Sequence, residues 1–163
     1  MSDSAPPPPV FRVAQFEDSK ALADMNIWLA KETEDIDLQP DVVNAGVKAV
    51  MEDESKGTYF LVELDGVVVG QLMITYEWSD WRNARIWWIQ SVYVLKEHRR
   101  RGYFKALYGY VKKEAQKNGS CGLRLYADVS NERAIKTYMD LGMTSHYKVY
   151  EDMFNVEREN GAS

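Results

Sequence analysis

The chain has 163 residues, of which 45% are hydrophobic and 12% aromatic, so it can bury the core of one domain and is not a disordered protein. Twenty basic residues against twenty-five acidic ones give a net charge of −5, which argues against a general nucleic-acid or membrane-surface binder. One cysteine allows no internal disulfide and two histidines allow no His-rich metal site, so we expect no metal and a reducing, cytoplasmic location.

The N-terminus contains four consecutive prolines and lacks the basic start and apolar middle of a secretory signal. We expect residues 1–9 to be a flexible Pro-rich lead-in, residues 10–154 to form one domain, and residues 155–163 to be a flexible tail. No apolar stretch approaches the length of a membrane span, so we expect no membrane partner.

The first third of the chain predicts one strand and two helices. Residues 10–13 predict a strand, and Asp18 or Ser19 can cap a helix over about residues 20–31. The acidic residues 32–37 predict a loop, and Pro40 suits the first turn of a second helix.

The middle of the chain predicts a hairpin and a further strand. Two β-rich runs flank the pair Asp65–Gly66, which is a strong hairpin signal. A Trp-rich link over residues 77–83 leads to a strand over about residues 85–94.

The last third alternates helices and strands. We expect a helix over residues 103–117, a short strand over 122–127, a helix from Asn131 to about Gly142, and a final strand over 143–150. The order predicts a mixed α/β fold built on one sheet, with helices on its faces.

The first chemical signal is a basic turn between a strand and a helix, at Arg99, Arg100, Arg101 and Gly102. A helix start presents unpaired N–H groups and the positive end of the helix dipole, which together suit a pyrophosphate. Taken alone, this turn is also explained as a solvated basic loop ahead of a helix.

A second segment begins at Asn131, 29 positions after Gly102. With both segments in order, the chain resembles the GNAT superfamily of acetyl-CoA-dependent N-acetyltransferases over roughly residues 14–154. The family has an R/Q-x-x-G-x-G/A turn after its fourth strand and an N-x-x-A-x-x-x-Y-x-x-x-G-F/M segment on the next αβ unit. The matching residues are Arg99, Gly102, Asn131, Ala134, Tyr138, Gly142 and Met143, whereas Phe104 replaces the final Gly or Ala of the turn.

The resemblance implies a GNAT fold, which is a mixed, mostly antiparallel sheet with helices on both faces and a splay between strands 4 and 5. It implies that acetyl-CoA, the acetyl donor, binds in that splay and against the turn. The implied cofactor-binding residues are Val92, Tyr93, Val94, Arg99, Arg100, Arg101, Gly102, Tyr103, Phe104, Lys105, Asn131 and Ala134. The alternative role of Asn131 is a helix cap, and the two roles are compatible.

The resemblance also implies direct attack of an amine on the thioester in a ternary complex. A main-chain N–H near Val92 or Tyr93 would stabilise the oxyanion, and Tyr138 would protonate the leaving thiolate. Core packing is the alternative role of Tyr138. The general base stays open, because Gln90 and Ser91 stand where several family members have a carboxylate.

The acceptor is expected to be the primary amine of a small molecule: an amine, a polyamine or an amino acid. The chain resembles the diamine and polyamine branch in its Trp-rich link and its last αβ unit. It keeps the acidic first-helix end of that branch but lacks its strand carboxylates. Solvated surface carboxylates are the alternative role for the acidic candidates. The candidate acceptor-binding residues are Glu32, Glu34, Glu77, Asp80 and Gln90.

Two other functions fit the same motifs, namely a protein lysine or N-terminal acetyltransferase and a non-catalytic acyl-CoA-binding domain. Members of the resembled family are often dimers, so the expected assembly is a homodimer. Cys121 lies just before an apolar run, which predicts a buried structural thiol rather than a nucleophile.

Overall fold

A computed structural model describes residues 7–155 in two compact units, which divide between Leu125 and Tyr126. In the first unit, five strands form one sheet in the order β1-β2-β3-β4-β5. The strands are β1 (Val10–Val13), β2 (Thr58–Leu64), β3 (Val67–Ser79), β4 (Ala84–Val94) and β5 (Gly122–Arg124). β1 to β4 are antiparallel, and β5 runs parallel to β4.

The helices of the first unit are α1 (Ser19–Glu34), α2 (Pro40–Glu52) and α3 (Tyr103–Lys117), and α4 (Glu132–Asp140) lies in the second unit. Short 3-10 helices occupy Phe16–Asp18 and Lys96–His98. None of the helices in residues 7–155 has the length and apolar character needed to cross a bilayer.

Helices cover both faces of the sheet because β2 is apolar on both sides. Tyr59 and Leu61 cluster with residues of α1 and α2, among them Leu22 and Val47. Strand neighbours point to opposite faces, so Phe60 points the other way, where its ring packs against Tyr110 of α3 at 6.1 Å between ring centroids. The predicted two-faced GNAT sheet is therefore confirmed.

The β2–β3 turn forms as the Asp65–Gly66 pair predicts. Asp65 (φ 49°) and Gly66 (φ 76°) both have positive φ, as a two-residue type I′ turn requires. Farther along β3, the neighbouring strands approach Gly70 closely. A Cβ at this position would lie 2.8 Å from Val62 Cγ1 and 3.3 Å from the carbonyl oxygen of Tyr93. This closeness lets the end of β4 lie tightly against β3.

Two predicted loops are wrong in their extent. The acidic segment is not a loop from residue 32, because α1 continues to Glu34 and ends at Asp35, which is left-handed with φ 52°. Glutamate is a good helix former, and Lys31 pairs with Asp35 one turn on at 2.7 Å. The Trp-rich link is also shorter than predicted, since β3 runs to Ser79 and pairs with β4 up to Ala84.

Two further predictions are corrected. Residues 143–150 form no strand, because within the second unit no neighbouring strand supplies the main-chain partners that a strand needs. Cys121 is exposed rather than buried, since it precedes β5 at the sheet edge, where its thiol lies 3.3 Å from the carbonyl oxygen of Arg85. Most of the predicted flexible ends, residues 1–6 and 156–163, lie outside the described residues.

Candidate active site

The start of α3 is an uncapped helix end. Gly102 is the N-cap residue with φ 79° and ψ 8°, and within residues 7–155 no side-chain cap hydrogen bond is made at this helix end. The first turn also contains no acidic residue. The leading N–H groups of a helix have no partner inside the helix, so the positive end of α3 is available to an anion.

The residues around this helix end fit a bound phosphate. Gly102 faces open space, since a Cβ built there would meet no atom within 4 Å. Arg100, Arg101 and Lys105 are exposed, and none of them forms an ion pair within residues 7–155. Phe104, which departs from the family pattern, packs its ring beside Tyr108 at 6.3 Å between centroids.

Arg99 has a different role from its two neighbours in the turn. Its Nε donates to the carbonyl oxygen of Val94 at 2.8 Å, and its Nη2 donates to Glu32 Oε2 at 2.8 Å. The guanidinium also lies over the Tyr93 ring, 5.1 Å from the centroid. Arg99 thus links the end of β4 to α1, and its side chain is committed to that junction.

Glu32 contacts three other residues of the same junction. It accepts a hydrogen bond from Tyr93 Oη at 2.6 Å, and Lys96 Nζ lies 3.5 Å from it. Although partial burial opposes ionisation, the hydrogen bonds from Tyr93 and Arg99 and the charges of Arg99 and Lys96 lower the pKa of Glu32. Burial and the Glu32 carboxylate together raise the pKa of Tyr93 to about 12.

The second half of β4 has an open edge. β5 pairs only with residues Ile86, Trp87 and Trp88, and within the described residues no β5 partner lies beside residues 89–94. On the other side, Tyr93 and Val94 pair with Gln71 and Gly70 of β3. The main chain at Val92, Tyr93 and Val94 therefore borders the predicted splay.

At the same level of β4, a β-bulge interrupts its ladder with β3. The register between β3 and β4 shifts so that two residues, Ser91 and Val92, lie opposite Leu72. Ser91 has φ 52°, in the left-handed region that non-glycine residues rarely adopt.

Beneath the bulge lies a polar network that sequence reasoning missed. Gln71, fully buried, donates from Nε2 to Asn26 Oδ1 at 2.7 Å and to the carbonyl oxygen of Ser91 at 3.2 Å. Asn26 Nδ2 in turn donates to Tyr59 Oη at 3.0 Å. A glutamine inside the apolar run of β3 is the sequence signal that could have revealed it, since buried polar groups need partners.

The remaining acceptor candidates are dispersed. Glu77 pairs with Arg124 Nη1 at 2.6 Å, and the Asp80 carboxylate accepts from the Trp81 N–H at 2.9 Å in the β3–β4 turn. Gln90 donates to Thr75 Oγ1 at 2.5 Å, and Glu34 is exposed on the last turn of α1. Among the acidic candidates in the described residues, Glu32 is the one that side-chain contacts join to the end of β4, whereas Gln90 lies on that strand itself.

The second motif lies in the second unit. Asn131 is the N-cap of α4, and its Oδ1 accepts from the Ala134 N–H at 3.1 Å. Tyr138 follows seven residues later, nearly two helical turns, so the two residues project from one face of α4. Burial raises the pKa of Tyr138. Gly142, at φ 86°, ends the motif as a left-handed residue after the helix.

Solved structures similar to this chain include several that are named acetyltransferases. A possible acetyltransferase from Clostridium difficile 630 is 44% identical with a TM-score of 0.85, over 91% of this chain and 99% of that one. A ribosomal-protein-alanine N-acetyltransferase from Brucella melitensis is 18% identical with a TM-score of 0.75, over 91% of this chain and 100% of the other. An aminoglycoside acetyltransferase from an uncultured soil metagenomic sample is 17% identical with a TM-score of 0.72, over 91% and 99%.

The two more distant structures show likeness of fold alone, whereas the first shares sequence as well. A search among curated proteins finds no match. The family model described as "Acetyltransferase (GNAT) family" matches residues 21–143, a span that contains both motifs. The chain therefore belongs to the GNAT family of acetyltransferases.

Proposed function

We propose that this chain transfers the acetyl group of acetyl-CoA to the primary amine of a small molecule, by direct attack in a ternary complex. The observation that carries this proposal is the uncapped, acid-free start of α3, which follows the open edge of β4 after one short 3-10 helix and the basic turn. A helix end of this kind attracts phosphate, and an unpaired strand edge attracts an extended, amide-bearing chain. Acetyl-CoA combines both chemical features.

The residues present fit this donor. The open space at Gly102 lets a diphosphate approach the main chain, and three exposed cations beside it supply positive charge. Arg99 would contribute by holding the turn in place, because its side chain is already bound to Glu32 and Val94. The proposed donor-binding residues remain Val92, Tyr93, Val94, the turn and helix start from Arg99 to Lys105, Asn131 and Ala134.

The reaction that this site would support is nucleophilic acyl substitution. The thioester supplies an activated acetyl group. The amine nitrogen forms a bond to the carbonyl carbon, and the carbonyl electron pair moves to oxygen, where the Val92 or Tyr93 N–H would stabilise it. The oxyanion then collapses, the C–S bond breaks, and the thiolate takes a proton. The amine gives up its own proton to water or to a base that the sequence leaves open.

Tyr138 is the proposed acid for the thiolate. Its raised pKa means that the hydroxyl holds its proton at neutral pH, as an acid must. Tyr138→Phe keeps the ring and removes only the proton. We expect kcat to fall roughly 10- to 100-fold, the low end of general-acid effects because CoA thiolate leaves readily, with little change in acetyl-CoA affinity. A kcat within about twofold of wild type, with chemistry rate-limiting, would reduce Tyr138 to a packing residue.

The carboxylates favour an acceptor with few positive charges. Arg99 and Lys96 balance the charge of Glu32, and Arg124 balances that of Glu77. A polyamine needs several unpaired carboxylates, and of the four acidic candidates only Glu34 and Asp80 have no ion pair among the described residues. A monoamine or an amino acid is therefore the proposed acceptor.

The family match from residue 21 to residue 143 supports one N-acetyltransferase domain over residues 10–154. A cytoplasmic location and a homodimer are parts of the same proposal. Light scattering of the purified chain tests the dimer, which requires twice the 18.8 kDa chain mass.

The decisive experiment incubates the protein and acetyl-CoA with a panel of amines, polyamines, amino acids and peptides, and measures acetylated product by mass spectrometry. We expect turnover with small primary amines. Turnover with peptides alone would favour a protein acetyltransferase. Binding of acetyl-CoA without turnover of any acceptor would favour a non-catalytic acyl-CoA-binding domain.

A further inference from the structure

The buried amide network under β4 supplies a side-chain hydrogen bond to the main chain of the bulge. In a regular ladder, a strand carbonyl is bound by the main chain of its neighbour. Here the carbonyl oxygen of Ser91 is bound by a side chain, the Nε2 group of Gln71 on β3. The register shift between Gln71 and Met73 is what brings the Ser91–Val92 peptide to this side chain.

The orientation of the Gln71 amide is determined by its neighbours. Nε2 faces two oxygens, Asn26 Oδ1 at 2.7 Å and the Ser91 carbonyl at 3.2 Å. A flipped amide would place its oxygen against both of these acceptors, which is unfavourable. Asn26 is fixed in turn, because its Nδ2 donates to Tyr59 Oη. The chain of amides therefore holds the Ser91 carbonyl in one direction.

The direction of that carbonyl determines the direction of the next N–H. The peptide bond between Ser91 and Val92 is trans, as are all peptide bonds in the described residues. In a planar trans peptide the C=O and N–H bonds point in opposite directions. Since the Ser91 carbonyl points to the Gln71 side-chain amide, the Val92 N–H points away from that amide. Just beyond β4, the Leu95 N–H donates to the Val69 carbonyl on β3, and successive N–H groups of a strand point to alternate edges, so the Val92 N–H, three residues earlier, belongs to the edge away from β3. The opposite edge of β4 at this level is the one without a β5 partner.

We propose that Gln71 is a positioning residue for acetyl transfer: held by Asn26, it orients the Ser91–Val92 peptide so that the Val92 N–H serves as the oxyanion donor at the open edge of β4. This inference rests on the proposed function. An oxyanion donor contributes most when it is held in place before the reaction, because no reorganisation is then needed in the transition state.

The hydrogen bonds of Gln71 are concentrated at the bulge. Gln71 is fully buried, and its Oε1 has no hydrogen-bond partner in residues 7–155. A buried acceptor without a partner is costly, but an apolar side chain of similar size would leave Asn26 Oδ1 and the Ser91 carbonyl without their Nε2 donor. The amide donor thus acts at the point where the main chain leaves the regular ladder, which is what a positioning role requires.

The test compares Gln71→Met with Leu61→Val in the full chain. Methionine keeps the length of the side chain and removes the Nε2 donor. Leu61→Val instead perturbs the buried core residue that lies opposite Gln71 in the β2–β3 register, and it leaves every amide group in place. The readouts are kcat with an amine that the wild type acetylates, acetyl-CoA Kd by calorimetry, thermal melting, and the ¹⁵N–¹H shift of Val92 during titration with acetyl-CoA.

We expect Gln71→Met to lower kcat on the order of 10- to 100-fold, less than the full loss of an oxyanion donor, with Kd within about twofold of wild type. The Val92 amide shift on acetyl-CoA binding should shrink, and Leu61→Val should change neither kcat nor that shift. If kcat falls in proportion to the loss of melting temperature, and by the same proportion in both variants, the proposal is overturned.

A second variant covers the case in which Gln71→Met does not fold. Asn26→Leu removes the oxygen that holds the Gln71 amide, while leucine is a better helix former than asparagine. It should lower kcat by roughly three- to tenfold, since Gln71 can still reach Ser91 part of the time. An unchanged kcat in Asn26→Leu would overturn the inference. A wild type that neither binds nor uses acetyl-CoA would instead overturn the proposed function itself.

Discussion

Arg99, in the junction between α1 and β4, lies only three residues before Gly102 at the start of α3, yet the two regions have opposite character. In the junction, Glu32, Tyr93 and Arg99 bind one another, and Gln71 binds Asn26 and Ser91. At the start of α3, the helix is uncapped and its cations are exposed. A group whose hydrogen bonds are already made serves as framework, whereas an unused donor is free to bind a ligand.

The largest effect on the proposed ligand-binding region is expected from a negative charge at the start of α3. Gly102→Glu places a carboxylate against the proposed diphosphate and a side chain where the main chain must approach. We expect acetyl-CoA affinity to fall about tenfold or more, on the order of 1.4 kcal/mol, measured by calorimetry.

Gly119→Glu is the matched control for that variant. Gly119 has φ 75° and open space like Gly102, but lies after the other end of α3. Both variants carry the same backbone strain and the same charge. Equal loss of affinity in the two variants would mean that the effect is one of stability and that the helix start is not the site.

The cations of the turn give a smaller effect that depends on salt. Arg100→Ala or Arg101→Ala should weaken acetyl-CoA binding roughly two- to fivefold at low salt, and the difference should shrink as salt is raised, because these side chains are exposed. Lys117→Ala, at the far end of α3, should leave the affinity unchanged. A loss that does not vary with ionic strength would contradict an electrostatic role.

The acceptor side is expected to respond in KM rather than in donor affinity. Glu34→Ala or Asp80→Ala should raise the acceptor KM about two- to fivefold, as for loss of an exposed charge contact, and leave acetyl-CoA Kd alone. Steady-state kinetics at saturating acetyl-CoA provide the measurement. If neither these changes nor Glu32→Ala and Glu77→Ala affect acceptor kinetics, the acceptor binds elsewhere.

The ionised Glu32 in the junction between α1 and β4 predicts that the stability of the fold depends on pH. The folded pKa of Glu32 lies below its ordinary value of 4.5, so its ionised form stabilises the fold above about pH 4.5, and that contribution is lost as the pH falls through the folded pKa. Glu32→Gln should cost about 1 kcal/mol near neutral pH, with the difference from wild type shrinking in acid.

Thermal melts between about pH 3 and pH 7 measure this effect. Glu34→Gln is the control, because Glu34 lies on the same last turn of α1 and has no ion pair among the described residues. A constant gap between Glu32→Gln and wild type across the whole range would show that the carboxylate charge does not stabilise the junction.

Local signals predicted much of this fold. The Asp65–Gly66 turn, the bounds of α3 and the Asn131 cap depend on neighbours in sequence, and each forms as expected. The contact of Glu32 with Arg99 joins residues 67 positions apart, and no local pattern encodes it. The bulge at Ser91 was missed for the same reason, since it is defined by its register with β3 and supported by a side chain from that strand.

The exposed position of Cys121 bears on how turnover is detected. It is the one cysteine of the chain, and its thiol is accessible. Reagents that colour or fluoresce on reaction with released CoA also react with accessible protein thiols, so each chain can add up to one equivalent of signal before any turnover. Cys121→Ser removes that background, and the same thiol offers a single attachment point for a fluorophore on the otherwise cysteine-free chain.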